Sequence, residues 1–263
     1  MTLQGKTVLV TGAGGGLGQA LCLLLLKSGA RVAAVDLDPR SLDELAQKAP
    51  EGLAAFQCDI TDEVRCNEVA KKVGPVDILI NNAGITHFSK FEDMSPQTIQ
   101  KVMAVNFFGA VNMTHAFLPA ILERCGKIVA ISSVAGFSPL YGRSGYSASK
   151  HALQGFFDSL RSEVADAGVQ VMIVCPSFIA SQQGASSKDG DTARPGSATQ
   201  TAGKPLSPEL VAKKILMGLQ QNSRLLTIGR VSKLSYMIHK IWPKLYERLM
   251  VNKIKSEFSR PKP

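Results

Sequence analysis

The sequence has few of the residues that define disulfide-rich, metal-binding or membrane-spanning proteins. Its 263 residues include five cysteines and four histidines. The cysteines have no Cys-x-x-Cys spacing, which predicts buried, reduced thiols in a cytosolic protein and argues against a disulfide framework or zinc site. No histidine has a partner at metal-ligand spacing, so no metal is expected. The longest strongly apolar run, residues 21–26, is far shorter than the ~18 residues needed to cross a bilayer.

Two further features are missing. No basic segment followed by an apolar one stands at the N-terminus, so no signal peptide is expected and the predicted location is cytoplasmic. Excess positive charge is also absent from the first 203 residues, which carry 17 Lys and Arg against 18 Asp and Glu. From Lys204 onward there are 13 basic and 3 acidic residues. A neutral body argues against nucleic-acid binding, and the basic tail requires a separate explanation.

Short apolar runs alternate with helical patterns along most of the chain. Strands are predicted over residues 6–10, 31–35, 53–57, 76–80, 127–131, 170–175 and 225–228. This alternation predicts an α/β fold: a single doubly wound, Rossmann-type domain with a parallel sheet of about seven strands and helices on both faces. We assign this domain to residues 1–228 and a basic amphipathic helical extension to residues 229–263.

A glycine-rich turn, residues 11–18, follows the first strand and opens a helix. In that context glycines allow a tight turn and the close approach of a pyrophosphate, while the helix N-terminus faces the anion. Asp36 ends the next strand, 18 residues after Gly18, where an acid accepts the ribose hydroxyls. Because its carboxylate would repel a 2′-phosphate, NAD is favoured over NADP. Arg40 leaves one alternative open, since it is either a solvated residue or a phosphate ligand.

Tyr146 and Lys150 lie four residues apart and share one face if they are helical. A positive charge ~4 Å from a phenolate is worth roughly 4 kcal/mol at an effective dielectric of about 20. Such a lysine would lower the pKa of the phenol enough for proton transfer near neutral pH. The alternative is a pair of surface residues without chemistry.

Several motifs together resemble the short-chain dehydrogenase/reductase family over about residues 3–228. Thr11-Gly12-x-x-x-Gly16-x-Gly18 is similar to its cofactor loop, and Asn81-Asn82-Ala83-Gly84 to its sheet-stabilising segment. The four catalytic positions of the family are matched by Asn106, Ser133, Tyr146 and Lys150. Ser177 departs from the family pattern, which commonly has glycine there, and Ser181 stands in for a threonine.

The resemblance implies a nicotinamide-dependent enzyme acting on CH–OH groups. Tyr146 would exchange a proton with the substrate oxygen, Ser133 would hydrogen-bond the same oxygen, and Lys150 would hold the nicotinamide ribose. Asn106 would hold a proton-relay water through its backbone. The residues expected to contact the cofactor are Gly12, Gly15, Gly16, Leu17, Gly18, Asp36, Leu37, Asp59, Ile60, Asn82, Ala83, Gly84, Tyr146, Lys150, Pro176 and Ile179. A homodimer or homotetramer through the helices around residues 106–123 and 146–166 is also implied.

Substrate identity is expected in two places. Residues 182–204 have a loop composition and are interpreted as a mobile substrate loop, with a functionless insertion as the alternative. The mouth of the pocket is expected to be lined by His87, Phe88, Phe137, Leu140 and Tyr141. An apolar pocket of this kind favours a lipophilic secondary alcohol or ketone. A non-catalytic NAD-binding regulator or membrane-associated protein that retains the fold is the competing hypothesis.

The tail after residue 228 shows an apolar stripe at helical spacing. Its members are Val231, Leu234, Ile238, Ile241, Trp242, Leu245 and Leu249. Basic residues occupy the other faces, and Pro243 is predicted to kink the helix. Residues 230–258 could therefore bind an anionic membrane surface, as a peripheral protein does. The stripe could instead cover the protein's own substrate pocket or a second subunit.

Overall fold

The computed structural model describes residues 2–49, 51–180, 192–193 and 204–258, with the side chains of residues 192–193 and 253–258 left aside. Seven parallel strands form one sheet in the order β3-β2-β1-β4-β6-β7-β9. They are β1 (Thr7–Thr11), β2 (Arg31–Asp36), β3 (Leu53–Gln57), β4 (Ile78–Asn81), β6 (Lys127–Ile131), β7 (Gln170–Pro176) and β9 (Leu225–Ile228). A separate antiparallel pair joins β5 (Thr86–His87) to β8 (Thr192–Ala193).

Helices cover both faces of the sheet. They are α1 (Gly16–Lys27), α2 (Pro39–Lys48), α3 (Glu63–Val73), α4 (Pro96–Met103), α5 (Gly109–Glu123), α6 (Ser144–Glu163), α7 (Pro208–Gln220), α8 (Arg230–Ile241) and α9 (Pro243–Phe258). Successive side chains of β1 enter opposite cores: Val8 and Val10 contact the layer of α1 and α7, and Leu9 contacts the layer of α3, α5 and α6. Because both faces of the central strands are buried, these strands are largely continuous apolar runs, and the predicted doubly wound fold is confirmed.

The predicted strand positions differ from the structure by two residues at most. Residues 53–57, 127–131 and 225–228 match, whereas β4 begins at Ile78, not at residue 76. The short pair β5–β8 was not anticipated, because two residues carry no periodicity. Most of the predicted loop over residues 182–204, and Ser181, lie outside the described residues.

The helix starts follow local side-chain chemistry. Asp62, Ser95 and Ser207 each accept a hydrogen bond from the backbone N–H three residues later, which satisfies an amide that the helix itself cannot pair. The helical stretch over residues 96–123 contains an interruption. A π-helical turn at Ala104–Phe108 separates α4 from α5, with the Gly109 N–H donating to the Ala104 carbonyl. Such single turns are frequent at functional sites.

The stretch Pro96–Glu123 is long and apolar enough by composition to cross a membrane. Core helices of soluble proteins pass the same test, and Met113, Phe117 and Ile121 of this stretch are buried against the sheet. Each cysteine is a free thiol, four of them buried; Cys125 is exposed in the turn after α5, contrary to the expectation that all are buried. Within the described residues, no three acidic, histidine or cysteine side chains form a group that could hold a metal.

Candidate active site

The glycine turn is tied to the end of β4. Thr11 Oγ1 accepts hydrogen bonds from the backbone amides of Asn82 and Ala83, at 3.0 and 3.1 Å. In return, the Asn82 side-chain amide donates to the carbonyls of Thr11 and Gly12. Gly12 has a φ of +63°, and a Cβ there would lie 2.7 Å from the Cα of Ala83. The turn therefore requires glycine at this position for both its conformation and its contact.

Asp36 is buried at the carboxyl end of β2, next to the same turn. Its Oδ2 accepts from the Gly14 N–H at 2.8 Å, and its Oδ1 accepts from the Asp38 N–H at 3.0 Å. These bonds orient the carboxylate toward the glycine turn. Arg40 lies outside, with an 89% exposed side chain and its Nε 3.5 Å from Asp38 Oδ1. Of the two interpretations of Arg40, a solvated residue or a phosphate ligand, the solvated residue fits this geometry.

Asn106 occupies the middle of the π-helical turn and is almost completely buried. Its side chain accepts from the Ile85 N–H at 2.8 Å and donates to the Ile85 carbonyl at 2.9 Å and to Ser149 Oγ at 2.9 Å. A Cβ on Gly84 would lie 3.2 Å from Asn106 Oδ1 and 3.5 Å from Lys150 Nζ. Asn106 thus connects the segment after β4 to α6, beside Lys150 but behind the surface of the cavity.

Ser133, Tyr146 and Lys150 meet at the carboxyl ends of the central strands. Burial raises the pKa of Tyr146 above its ordinary value of 10.0, while its hydrogen bond with Ser133 and the charge of Arg143 oppose that rise. Burial also lowers the pKa of Lys150 from 10.5 to about 8. The Lys150 ammonium donates to the Ile131 carbonyl at 2.9 Å and lies 5.8 Å from the centre of the Tyr146 ring.

The pKa of Tyr146 shifts in the opposite direction from the sequence-based prediction. That prediction has Lys150 lowering the pKa, whereas burial raises it and the opposing effects come from Ser133 and Arg143. The reason is that both side chains lose their hydration in the same buried region, and the ammonium bonds a backbone carbonyl. Tyr146 therefore carries its proton at neutral pH.

Two residues of β5 support the start of α6. His87 Nε2 accepts a hydrogen bond from the Tyr146 N–H at 3.0 Å, and Thr86 Oγ1 accepts from Arg143 Nη1 at 2.8 Å. A ring nitrogen that accepts an N–H bond is unprotonated, so the His87 proton resides on Nδ1. Thr86 and Arg143 were missed by the sequence analysis. The position of Arg143 immediately before a helix that carries Tyr146 was the one available signal.

A single continuous cavity of about 670 Å³ joins the glycine turn to this group. All sixteen residues predicted to contact a cofactor line it, and Ser133 lines it as well. Most of them lie at or soon after the carboxyl end of a parallel strand, and Tyr146 and Lys150 reach the same edge from α6. Ser177, the departure from the family pattern, also lines the cavity, and its N–H donates to the Ile228 carbonyl at 2.9 Å.

The predicted mouth of the pocket is largely wrong. Of the five residues expected there, only Leu140 lines the cavity. The His87 side chain lies behind Tyr146, the Phe88 ring stacks on Arg143, and the Phe137 ring contacts Tyr236 edge-on at 5.1 Å. The Tyr141 N–H contacts Met250 Sδ at 3.2 Å. The side chains of His87, Phe88 and Phe137 and the backbone of Tyr141 thus make contacts that hold α6, α8 and α9 in place.

The C-terminal helices form one wall of the cavity. Ser232 Oγ donates to the Cys175 carbonyl at 2.6 Å, which fixes α8 to β7. The apolar stripe is divided between two environments. Val231, Leu234, Ile238 and Leu249 line the cavity, whereas Ile241, Trp242 and Leu245 are exposed away from it. The expected break at Pro243 is confirmed, because Trp242 leaves the helical conformation between α8 and α9.

The fold is a doubly wound α/β domain whose cavity joins a glycine turn to a serine, a tyrosine and a lysine at the carboxyl edge of the sheet. The family profile described as short chain dehydrogenase matches residues 6–192. The chain belongs to the short-chain dehydrogenase family.

Named relatives and solved structures agree with this assignment. The chain is 33% identical to dehydrogenase/reductase SDR family member 7B of Bos taurus, over 97% of this chain and 83% of the relative. It is 34% identical to dehydrogenase/reductase SDR family protein 7-like of Drosophila melanogaster, over 95% and 81%. A short-chain dehydrogenase from Streptomyces avermitilis superposes with a TM-score of 0.79 at 27% identity, over 98% of this chain and all of the other. One from Burkholderia cenocepacia, in complex with NADP, gives 0.83 at 24% identity, over 95% and 99%.

Proposed function

We propose that this protein is a nicotinamide-dependent oxidoreductase that interconverts a lipophilic secondary alcohol and its ketone. The observation that carries the proposal is the placement of Tyr146, between Ser133 and Lys150, in the same cavity as the glycine turn. The family membership supports the reaction class. Neighbouring structures were solved with NADP, and one from Burkholderia phymatum with NAD, which supports a nicotinamide cofactor.

The cavity fits such a cofactor. A Cβ on Gly12 would lie 2.7 Å from the Ala83 Cα, and one on Gly18 would overlap the Gly12 carbonyl oxygen. Glycine at both positions therefore allows the tight turn at the start of α1, where a pyrophosphate would bind. Leu37, 61% exposed, lies after Asp36 at the end expected to hold the adenosine. When bound, the nicotinamide supplies or accepts the hydride. The protein supplies alignment, water exclusion and the proton.

Tyr146 is the general acid and base of the proposed reaction. Because burial raises its pKa, the phenol is protonated at neutral pH and ready to donate to a carbonyl oxygen. The phenolate left after that step is stabilised by the Ser133 hydrogen bond and the nearby charge of Arg143. Ser133, whose Oγ also accepts from the Ala135 N–H, binds the same substrate oxygen as charge develops on it.

Lys150 and Asn106 complete the proton path in this proposal. The pKa of Lys150, lowered by burial to about 8, keeps the ammonium mostly charged at pH 7 yet able to exchange its proton. It would hold the nicotinamide ribose. The π-helical turn around Asn106 changes the backbone bonding beside Lys150, which is where a relay water would bind.

We further propose that NAD is preferred to NADP. Asp36 directs a buried carboxylate at the position of the adenosine ribose, and a 2′-phosphate there would meet like charge. The exposed Arg40 is engaged with Asp38, not with the cavity.

The exposed part of the C-terminal stripe supports attachment to an anionic membrane surface. Ile241 and Trp242 are each 61% exposed and Leu245 is 45% exposed, beside the basic Lys240 and Lys244. Apolar side chains flanked by lysines suit the interface of an anionic bilayer. This is proposed in addition to the contribution of α8 and α9 to the cavity wall.

A homodimer or homotetramer through α5 and α6 is the assembly that the family suggests. The ring of Phe107, in the π-helical turn before α5, contacts the rings of Phe108 and of Phe156 on α6 edge-on, and Phe108 is 54% exposed. An exposed aromatic on this face suits a subunit contact.

The test is turnover with a single phenol removed. Purified protein with NAD and a panel of medium-chain secondary alcohols should produce the absorbance of reduced nicotinamide. Tyr146→Phe should lower kcat by about 10²- to 10⁴-fold, the usual contribution of a positioned acid or base. Tyr236→Phe, which removes a phenol from α8 outside the cavity lining, is the matched control and should keep its activity.

The competing class, a non-catalytic regulator, makes the opposite prediction. It would bind NAD in calorimetry but give no reduced nicotinamide with any alcohol and no NADH consumption with any ketone. Equal activity of Tyr146→Phe and wild type would refute the assigned proton transfer.

A further inference from the structure

Arg143 is a buried cation at the start of the helix that carries Tyr146. Gly142, with a φ of +70°, turns the chain into α6, and Arg143 occupies the N-cap position. Its own carbonyl accepts from the Ser147 N–H at 2.8 Å, so its backbone is part of the first helical turn. Arg143 is only 7% exposed, and the exposed part lines the cavity.

The surroundings of the guanidinium offer little compensation for its charge. Nη1 donates to Thr86 Oγ1 at 2.8 Å, and the rings of Phe88 and Phe178 lie 5.2 and 6.0 Å from the guanidinium carbon. No carboxylate within the described parts of the chain forms an ion pair with it. Burial lowers the pKa of Arg143, and the phenol of Tyr146 is the group that opposes this effect.

A buried guanidinium without a counter-ion is costly, because its five N–H donors lose water and gain few acceptors. One of these donors is used by Thr86. The remaining donors belong to a side chain that borders the same cavity as the reacting phenol. A planar fork of this kind matches a carboxylate.

We infer that Arg143 binds a carboxylate carried by the substrate, and so selects an amphiphilic oxo- or hydroxy-acid over a neutral ketone or alcohol. The inference rests on the proposed function and narrows its substrate class. One buried monocation balances one negative charge, which favours a carboxylate over a dianionic phosphate monoester.

The rest of the cavity accounts for the lipophilic part of such a substrate. Leu140, Phe178, Leu234, Ile238 and Leu249 line the region between Tyr146 and the C-terminal helices. An alkyl chain directed along this wall would leave water, while its carboxylate remains at Arg143 and its carbonyl at Tyr146. Arg143 and Tyr146 are three residues apart at the start of α6, so the charged and reacting groups of the substrate must be close together.

The test measures binding without turnover. Decanoate, methyl decanoate and decyl phosphate are titrated by calorimetry into the protein without cofactor, below their aggregation concentrations. Wild type should bind decanoate about ten- to a hundredfold more tightly than the ester, as a charge-assisted pair in an apolar site provides. Arg143→Met should reduce that preference to about onefold, and Arg143→Lys should retain part of it.

Three results would overturn the inference. They are equal affinity of wild type for acid and ester, an unchanged preference in Arg143→Met, and tighter binding of decyl phosphate than of decanoate. If circular dichroism shows that Arg143→Met does not fold, Thr86→Val replaces it in the test. Loss of the Thr86 hydroxyl should weaken the preference for decanoate over the ester at least threefold, and an unchanged preference would refute the inference.

These outcomes are separate from those of the proposed function. If the protein binds the acid more tightly than the ester but never reduces NAD, the anion site is supported and the proposed reaction is refuted. If it turns over neutral ketones but binds acid and ester equally, the proposed reaction is supported and the anion site is refuted.

Discussion

Replacing Lys150 by methionine should remove a pH-dependent part of the protein's free energy of unfolding and abolish its activity. Lys150 is 3% exposed, and burial lowers its pKa from 10.5 to about 8. Between these two values the unfolded chain holds a proton that the folded protein has released. The folded state is therefore penalised below pH 8, and the penalty fades as the pH rises toward 10.5. Methionine has a similar length and removes this pH-dependent cost.

The magnitude follows from the two pKa values. Their difference corresponds to about 3 kcal/mol in the free energy of unfolding, of which about 2 kcal/mol is recovered between pH 7 and pH 9.5. Loss of the 2.9 Å bond to the Ile131 carbonyl offsets about 1–3 kcal/mol of any gain at pH 7. The net change at one pH is consequently small, and the change with pH is the sharper measurement.

The assay is urea unfolding of wild type and Lys150→Met, without cofactor, from pH 7 to pH 9.5. The difference in unfolding free energy, wild type minus variant, should rise by about 2 kcal/mol over this range, since groups common to both proteins cancel. Lys213→Met, an exposed lysine of α7, is the matched control and should show no comparable trend. A flat difference for Lys150→Met, or a falling one, would refute the electrostatic argument.

Three further predictions concern the turn, the cofactor and the membrane. Gly12→Ala should destabilise the protein by clearly more than the ~1–3 kcal/mol expected of left-handed strain alone, and should abolish NAD binding. Gly5 has a φ of +72° and open space around it, so Gly5→Ala measures the strain alone, and equal denaturation midpoints of the two variants would contradict the close-contact argument. Asp36→Asn should shift the ratio of NAD to NADP affinity toward NADP by about tenfold or more, because it removes the negative charge that repels the 2′-phosphate. If fluorescence titration shows that the wild-type protein prefers NADP, the proposed preference for NAD is wrong. Trp242→Ser should weaken co-sedimentation with phosphatidylserine vesicles, whereas Phe91→Ser should not, because Phe91 is exposed on a different element. If the wild-type protein does not bind these vesicles, the membrane proposal is refuted.

The residues that line the cavity were predictable because they obey local rules. A strand buried on both faces is a continuous apolar run, and the parallel sheet brings every carboxyl end to one edge. The glycine turn after β1, Asp36 after β2 and Asn82 after β4 therefore had to lie together once the alternation was recognised. Spacing along α6 likewise placed Tyr146 and Lys150 on one face.

The pocket mouth was predicted wrongly because side-chain direction in a loop has no period. His87 and Phe88 were expected to line the mouth of the pocket. In the structure, His87 supports the backbone of Tyr146 and Phe88 lies against Arg143. Which side of a two-residue strand faces the cavity depends on its partner, β8, which is distant in the sequence. Thr86 pairs with Ala193, 107 residues later, and His87 pairs with Thr192, 105 residues later.

The sequence by itself determined the doubly wound sheet, the family and the residues of the glycine turn and the strand ends that line the cavity, since each depends on short-range patterns of burial and glycine. Only the tertiary structure decided the electrostatics within that set. Desolvation raises the pKa of Tyr146 and lowers that of Lys150, and desolvation depends on how many atoms from distant elements surround a group. The same physics separates Arg143, buried without a carboxylate among the described residues, from the solvated Arg40. The sequence shows which side chains carry charge, but the groups that pack around each side chain set the free-energy cost of burying that charge.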